Sequence, residues 1–208
     1  MGQVNSSVPM EQNKSDQSFK QGIWIKHYCS SHKILLVGEG DFSFSACLEF
    51  LKKNYEKAMS NIDSLRSRGC KVIHEVDATK MLGYHGLNYV TYDRIVYNFP
   101  HAGFSQNEPA KDQVRRNQDL VSEFMANAAK MIEKSGEIHI SHKCNGFFQQ
   151  WGLQKLGEKN GLVLIEEVEF KLSDYPGYNT KYGYGGDKNF DCNPSKTYKF
   201  RLKDALYN

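Results

Sequence analysis

Short apolar runs alternate along this chain with longer stretches in which apolar residues recur every three or four positions. The first run, Ile34 to Val37, is continuous and is closed by Gly38, which is typical of a strand buried on both faces of a parallel sheet. From Phe44 to Leu65 the spacing predicts one continuous helix, which Gly69 is placed to end. The pattern therefore begins with a strand followed by a helix.

The same alternation continues to the end of the chain. It predicts strands at 72–76, 94–98, 137–141 and 162–170, and helices at 114–132, closed by Gly136, and at 147–159, closed by Gly161. Strands that alternate with helices in this way indicate a mostly parallel α/β sheet with helices on both faces. We expect the strand at 72–76 to pair beside the first strand, and residues 197–202 to form an antiparallel strand at one edge.

Composition divides the chain into an arm and one domain. Residues 1–22 are polar and rich in Gln, Ser and Asn, so we expect a flexible arm, and residues 23–208 are long enough for one core. The five cysteines stand singly without a C-x-x-C pair, which favours a reducing compartment and neither disulfides nor zinc. His139 and His142 lie three apart on a strand and therefore point to opposite faces, so we assign no metal.

The N-terminus fits a lipidation pattern. Gly2 follows Met1, and Ser6 supplies the small hydroxyl residue of the myristoylation motif. A disordered leader that matches a loose pattern by chance is the alternative. Even if Gly2 is acylated, one acyl chain beside sparse lysines gives only weak, reversible membrane association. We find no apolar run of the ~18 residues that a membrane helix needs, and no secretory signal.

The turn after the first strand carries two closely spaced glycines. Gly38 permits a tight turn, and Gly40 lets a ligand approach bare backbone where a helix begins. Ser43 stands where a dinucleotide fingerprint has its third glycine, which weakens an NAD or FAD interpretation. A plain strand-to-helix turn remains the structural alternative.

The strand at 94–98 ends in Asn98, Phe99, Pro100 and His101. An Asn at the carboxyl end of a strand, followed by an aromatic residue and a proline, places a fixed amide at the crevice where α/β sheets bind ligands. Such a rim can hold a flat heterocycle, and His101 has a pKa suited to proton transfer. A loop that proline merely makes rigid is the alternative.

Four motifs occur in one order: GEGDFSFS at 38–45, VDAT at 76–79, NFPH at 98–101 and DYPGY at 174–178. Together they resemble the Rossmann-like methyltransferase domain of the large-subunit ribosomal RNA uridine-N3 methyltransferases. The resemblance covers 33–200 and implies S-adenosylmethionine as cofactor. It implies that Asn98, Phe99, Pro100 and His101 face the transferring methyl, and that the cofactor is bound by Gly38, Glu39, Gly40, Asp41, Phe42, Ser43, Asp77 and Ala78.

The end of the chain is basic and aromatic. From Lys171 onward there are seven Lys and Arg against four acids, and the difference equals the net charge of +3. Because single-stranded bases stack on aromatic rings, we predict contacts to large-subunit ribosomal RNA there, with phosphate contacts on the helix after NFPH. The predicted RNA-binding residues are Lys111, Arg115, Arg116, Tyr175, Tyr178, Lys181, Tyr182 and Lys188. The alternative is that the tyrosines pack on the sheet and the lysines form a solvated face.

The chain departs from this family in one place. The family has a further strand after the glycine motif, ending in an acidic residue for the cofactor's ribose, and here a continuous helical pattern takes its place. Loss of that carboxylate removes hydrogen bonds of about 1.5–3 kcal/mol each. Two alternatives to an active enzyme therefore stay open: a non-catalytic RNA-binding or ribosome-assembly factor, and an NAD(P)-dependent oxidoreductase. We expect a monomer in the nucleolus, nucleus or cytoplasm.

Overall fold

The computed structural model describes residues 22–38, 58–103, 105, 107–182 and 188–206. The strands are β1 (Trp24–Ile25), β2 (Tyr28–Cys29), β3 (Ile34–Val37), β4 (Tyr92–Asn98), β5 (Ile132–Lys143), β6 (Leu162–Glu169) and β7 (Ser195–Leu202). The helices are α1 (Ala58–Ser67), α2 (Ala110–Met131) and α3 (Leu153–Lys159). Short 3-10 helices lie at Met81–Gly83, Gly146–Trp151, Leu172–Asp174 and Lys203–Leu206.

The main sheet has the strand order β3-β4-β5-β7-β6. Strands β3, β4 and β5 are parallel, and β7 runs antiparallel to both β5 and β6. The prediction of a mostly parallel α/β sheet is therefore confirmed. The last strand, β7, is antiparallel as expected. It was expected at an edge of the sheet but lies inside it, since it pairs with β5 on one side and with β6 on the other. Its Phe200 is completely buried between the register partners Ile138 and Leu164.

The predicted strand at 72–76 is wrong. Residues 70–77 carry no ladder hydrogen bonds in the structure, and β3 pairs only with β4 among the described residues. Glu75 has a φ of 60°, which interrupts the extended run. Ile73 and Val76 still pack against the core, so the apolar pattern reported burial rather than strand pairing.

Two helix boundaries also differ from the prediction. Helix α2 ends at Met131, because Ile132 takes an extended conformation and starts β5, with its N–H donating to Ala128 O. Gly136 therefore lies within a strand. The helix predicted at 147–159 is divided by Gly152, whose φ of 61° separates a 3-10 helix from α3. Of the helix predicted at 44–65, only 58–65 lies within the described residues, and it ends as expected before Gly69, which has a φ of 85°.

The two faces of the sheet are covered differently in the described part of the chain. Val121, Phe124 and Ala128 form a fully buried stripe of α2 against one face, joined there by α3. The β1–β2 hairpin covers the other face through Tyr28, together with Phe170 and Tyr175 from the segment after β6. This arrangement holds the carboxyl ends of β3, β4 and β5 along one edge.

Candidate active site

Gly38 and Tyr97 form the floor of the site where β3 and β4 end. Val37 pairs with Tyr97, so Gly38 is the first residue beyond the ladder. Its φ is 69°, and a Cβ at this position would lie 2.4 Å from Cε2 of the Tyr97 ring. Burial, and secondarily the negative charge of Asp77, raises the pKa of Tyr97 to about 12, which keeps the phenol neutral. Only glycine fits this turn without displacing the ring.

The side chain of Asn98 is buried without a hydrogen-bond partner. Asn98 ends β4 with 8% of its surface exposed, and neither Nδ2 nor Oδ1 has a partner among the residues that the structure describes. Burying an unpaired amide costs about 1–3 kcal/mol. A native protein seldom retains such a group without a use, so the amide marks a position where a ligand can supply a donor and an acceptor.

The residue after Asn98 holds an unusual backbone conformation. Phe99 has a φ of 50°, which is costly for a bulky side chain, and its N–H donates to Ser141 O at 2.8 Å. Its ring packs edge-on against Phe170 and Phe190, each with centroids 5.2 Å away. These contacts hold the strained residue and turn the following chain, including the buried Pro100, across the end of β5.

His101 lies in the loop beyond Pro100 with one ring nitrogen already engaged. Gly103 N–H donates to Nδ1 at 2.9 Å, so in the neutral ring the proton resides on Nε2. Burial lowers the pKa of His101, and the nearby Arg116 guanidinium adds to the effect. His101 is therefore neutral at physiological pH, and its Nδ1 is occupied by the Gly103 N–H.

Asp77 and Ala78, two of the predicted cofactor-binding residues, directly follow the segment 70–76. Asp77 Oδ1 accepts hydrogen bonds from Thr79 N–H at 2.9 Å and from the Thr79 hydroxyl at 2.7 Å, and these contacts lower the pKa of Asp77. Ala78 packs against the core. Along the outer edge of β3 runs a cleft of about 980 Å³, lined by residues 34–38 and 70–76 among others. Its described lining holds a single carboxylate, Glu75.

The predicted RNA-binding tyrosines differ in exposure. Tyr175 is 3% exposed and stacks on Phe170 with centroids 5.4 Å apart, so its ring is unavailable to a base. Tyr178 is half-buried and contacts the same phenylalanine edge-on. Tyr182 is 46% exposed, and Lys188, whose carbonyl accepts its N–H, is exposed beside it. Lys181 is half-buried, and its backbone forms an isolated antiparallel β-bridge with Asn189. Tyr182 and Lys188 retain the surface that an RNA contact requires.

The basic residues of α2 also fall into two groups. Lys111 and Arg115 are exposed and remain available to phosphates. Arg116 instead donates to Ala102 O at 2.9 Å and Gly103 O at 3.0 Å, and pairs with Glu108 at 2.7 Å. Its guanidinium is therefore held against the loop that contains His101, although 38% of the side chain remains exposed.

Sequence patterns had not singled out the neighbouring Asn117. It is 1% exposed, and its Oδ1 accepts the N–H of Ala102 at 2.7 Å. A signal was present, because a polar residue stands at position 117 in the buried stripe that continues through Val121 and Phe124. A polar side chain in such a stripe requires a partner, and here the partner is the loop.

Several predictions concern residues outside those that the structure describes. Glu39, Gly40, Asp41, Phe42, Ser43 and the possible acylation site Gly2 are outside the described residues. His139 and His142 do point to opposite faces, toward Tyr28 and Trp151 respectively. No group of three metal-ligating side chains occurs within the described ranges. Over the same ranges, no helix combines the length and the apolar character needed to cross a membrane.

The sheet resembles that of a solved α/β protein. The Methanococcus jannaschii fibrillarin pre-rRNA processing protein superposes with a TM-score of 0.51 at 13% identity, over 83% of this chain and 66% of that one. The three parallel strands, with the antiparallel β7 between β5 and β6, form a Rossmann-like α/β fold.

Sequence comparison then identifies the family. The model described as "rRNA (uridine-N3-)-methyltransferase BTM5-like" matches residues 35–182, and the chain belongs to this BMT5-like family. The Arabidopsis thaliana protein At4g26485 is 44% identical over 85% of this chain and 96% of its own length. The Saccharomyces cerevisiae 25S rRNA (uridine(2634)-N(3))-methyltransferase is 20% identical over 82% of this chain and 71% of its own length. This membership removes the basis for the NAD(P)-dependent alternative.

One further relative is much longer. The chain is 37% identical to the Arabidopsis thaliana heavy metal-associated isoprenylated plant protein 41, over 93% of this chain but only 41% of that protein. The alignment with At4g26485 runs over 200 positions but takes in 85% of the 208 residues here, or roughly 177. About 23 positions of that relative therefore have no counterpart in this chain.

Proposed function

We propose that this protein transfers a methyl group from S-adenosylmethionine to N3 of a uridine in large-subunit ribosomal RNA. The observation that carries the proposal is the buried, unpartnered amide of Asn98 at the end of β4. An amide offers one donor and one acceptor group side by side, which matches the carbonyl oxygens and N3–H of the uracil edge. Membership of the BMT5-like family supports the same substrate class.

The cofactor supplies an electrophilic methyl group when it is bound. Gly38 suits a cofactor-binding position, because its α-carbon carries no side chain and lets a ligand approach the backbone beside Tyr97. Asp77 lies near enough to Tyr97 for its charge to raise the pKa of that phenol. We assign Glu75, the carboxylate in the described lining of the cleft beside β3, to the ribose hydroxyls in place of the missing acidic residue. A carboxylate there would recover part of the lost affinity.

The protein positions the base more than it performs covalent chemistry. The uracil N3–H bond would break with its proton passing to solvent water. The N3 electron pair would form the bond to the methyl carbon as the carbon–sulfur bond breaks, with that bond's electron pair leaving on the sulfur of S-adenosylhomocysteine. Asn98 Nδ2 donates to a uracil carbonyl oxygen, where negative charge accumulates as N3 loses its proton. This hydrogen bond stabilises the uridine anion more than the neutral base.

Calorimetry of S-adenosylmethionine binding tests the assignment of the cofactor site. We expect the Glu75→Gln variant to bind about tenfold more weakly than the unmodified protein, since one charge-assisted hydrogen bond is lost. Glu123→Gln, at an exposed position of α2 outside the described lining of the cleft, is the matched control and should leave binding unchanged. Equal affinity of the Glu75 variant would remove this residue from the cofactor site.

The gap of about 23 positions favours one competing function, a non-catalytic RNA-binding or ribosome-assembly factor. A matched pair of chains separates the two functions: this protein, and a version that carries the extra segment of At4g26485 after Leu48. The methyltransferase proposal expects both chains to bind the cofactor and to methylate RNA. Binding of RNA by both chains, with transfer only by the extended one, would favour the non-catalytic role.

A further inference from the structure

The loop that follows the Asn98–His101 rim is held through its backbone. Ala102 N–H donates to Asn117 Oδ1 at 2.7 Å, and Ala102 O accepts from Arg116 Nη1 at 2.9 Å. Gly103 N–H donates to His101 Nδ1 at 2.9 Å, and Gly103 O accepts from Arg116 Nη2 at 3.0 Å. All four backbone polar groups of these two residues are thus bound to side chains, three of them to α2.

The two side chains on α2 are themselves fixed. Arg116 Nη2 also pairs with Glu108 Oε2 at 2.7 Å, and Asn117 Nδ2 donates to Gln113 O at 2.8 Å. One turn further along the helix, Val121 and Phe124 are completely buried against the sheet. A helix anchored in this way is a rigid support, and a planar guanidinium that donates from two nitrogens fixes direction as well as distance.

We propose that Arg116 and Asn117 are positioning residues, which hold the Asn98–His101 rim in the geometry that methyl transfer requires. The proposal rests on the proposed function for the nature of the reaction. The contacts of Arg116 and Asn117 with Ala102 and Gly103, here called the clamp, do not depend on that function. It replaces the earlier expectation that Arg116 binds RNA phosphate. Neither residue touches the reacting atoms, and both act through Ala102, Gly103 and His101.

The helix provides its own control in Arg115. This residue is exposed, carries the same charge and precedes Arg116 directly, so it suits contact with phosphate and not with the loop. A phosphate contact contributes affinity that falls with salt, whereas a positioning contact contributes rate once the substrate is bound. Arg115→Gln and Arg116→Gln therefore distinguish the two roles at equal change in charge.

Three readouts on the full chain test the clamp: the single-turnover rate with saturating S-adenosylmethionine and RNA, the salt dependence of RNA affinity, and amide hydrogen exchange at Ala102 and Gly103. We expect Arg116→Gln to lower the rate about 10- to 100-fold with little change in RNA affinity, because small misplacements at a reacting centre are costly. Exchange at both amides should accelerate. Arg116→Lys should recover little of the rate, because an ammonium lacks the fork.

Arg115→Gln should show the opposite result, with weaker RNA binding, a shallower salt dependence and unchanged exchange. If Arg116→Gln weakens RNA binding with a shallower salt dependence and leaves the rate at saturation intact, the clamp is wrong and Arg116 is a phosphate contact. If the unmodified protein transfers no methyl group, the proposed function fails instead. The clamp is then judged by exchange alone: faster exchange in Arg116→Gln but not in Arg115→Gln supports it, and equal exchange overturns it.

Discussion

The ring of Tyr97 lies against the α-carbon of Gly38, so closely that an added Cβ would stand 2.4 Å from ring atom Cε2. The two residues come from neighbouring parallel strands, one directly after the last ladder pair of β3 and the other within β4. Their contact explains why a glycine ends the first strand of the sheet. It leaves bare backbone at the crevice where the cofactor is proposed to bind.

The contact predicts the effect of Gly38→Ala on stability. The substitution forces a φ of 69° on alanine and also displaces the Tyr97 ring. Gly161→Ala is the matched control, because Gly161 has a φ of 74° and nothing within 4 Å of the added Cβ. We expect the backbone strain to cost both variants about 1 kcal/mol, and Gly38→Ala to lose about 1–3 kcal/mol more by overpacking. Urea unfolding of both variants measures the difference, and equal losses would show that the ring moves aside freely.

Asn98 is predicted to trade stability for function. Asn98→Leu replaces an unpaired buried amide with an apolar side chain of similar size, so we expect the free energy of unfolding to rise by about 1 kcal/mol while methyl transfer is lost. Asn117→Leu is the contrast, because both polar atoms of that amide are bonded and its loss should destabilise the fold by about 1–3 kcal/mol. Urea unfolding and a transfer assay test the pair. An Asn98 variant that is both less stable and still active would contradict the assignment.

The dependence of transfer on pH follows from the state of His101. Burial lowers the pKa of His101 below its usual value of 6.5, so the ring is already neutral above that pH. Between pH 6.5 and 8.5 the rate should therefore rise with pH as uridine N3 ionises, with about a tenfold increase per unit if transfer limits the rate. We expect His101→Gln, which keeps a donor, to retain this slope. A rate that is flat above pH 6.5 in the unmodified protein and becomes dependent on pH in His101→Gln would make His101 the general base.

His142 is predicted to make stability depend on pH. Burial lowers its pKa from 6.5 to about 4, while Nε2 donates to Phe148 O at 3.1 Å. The unfolded chain therefore binds a proton below pH 6.5 that the folded chain takes up only near pH 4, so stability is lost as pH falls through this window. The loss from this side chain should reach about 3 kcal/mol at the acid end. Urea unfolding between pH 7 and 4 should show a smaller loss for His142→Gln than for the unmodified protein.

Most of the sheet could be predicted from sequence, because its strands are short apolar runs bounded by glycine or proline. The run Ile34 to Val37 became β3 and the NFPH motif ended β4 as expected. The exception is the stretch 72–76, whose apolar residues are buried but form no ladder, since periodicity reports burial and not which backbone pairs with which. The place of β7 between β5 and β6 is likewise a matter of long-range pairing.

The site was predicted in part for the same reason. The motifs located Gly38 and Asn98 at strand ends, where topology brings them to one edge. Asp77 instead follows a segment that forms no strand. They did not show that Tyr175 is buried or that Arg116 contacts a loop more than ten residues earlier in the chain. A charged or aromatic side chain in a sequence does not reveal whether it meets solvent or backbone. Only the fold distinguishes a phosphate contact from a clamp.

Methyl transfer to unmodified large-subunit ribosomal RNA tests the central claim most directly. The protein is incubated with isotopically labelled S-adenosylmethionine and the RNA, which is then digested and its nucleosides are identified by mass spectrometry. We predict label in N3-methyluridine with the unmodified protein and none with Asn98→Leu. Absence of label with a folded protein that still binds the RNA, or label in another nucleoside, would contradict the account.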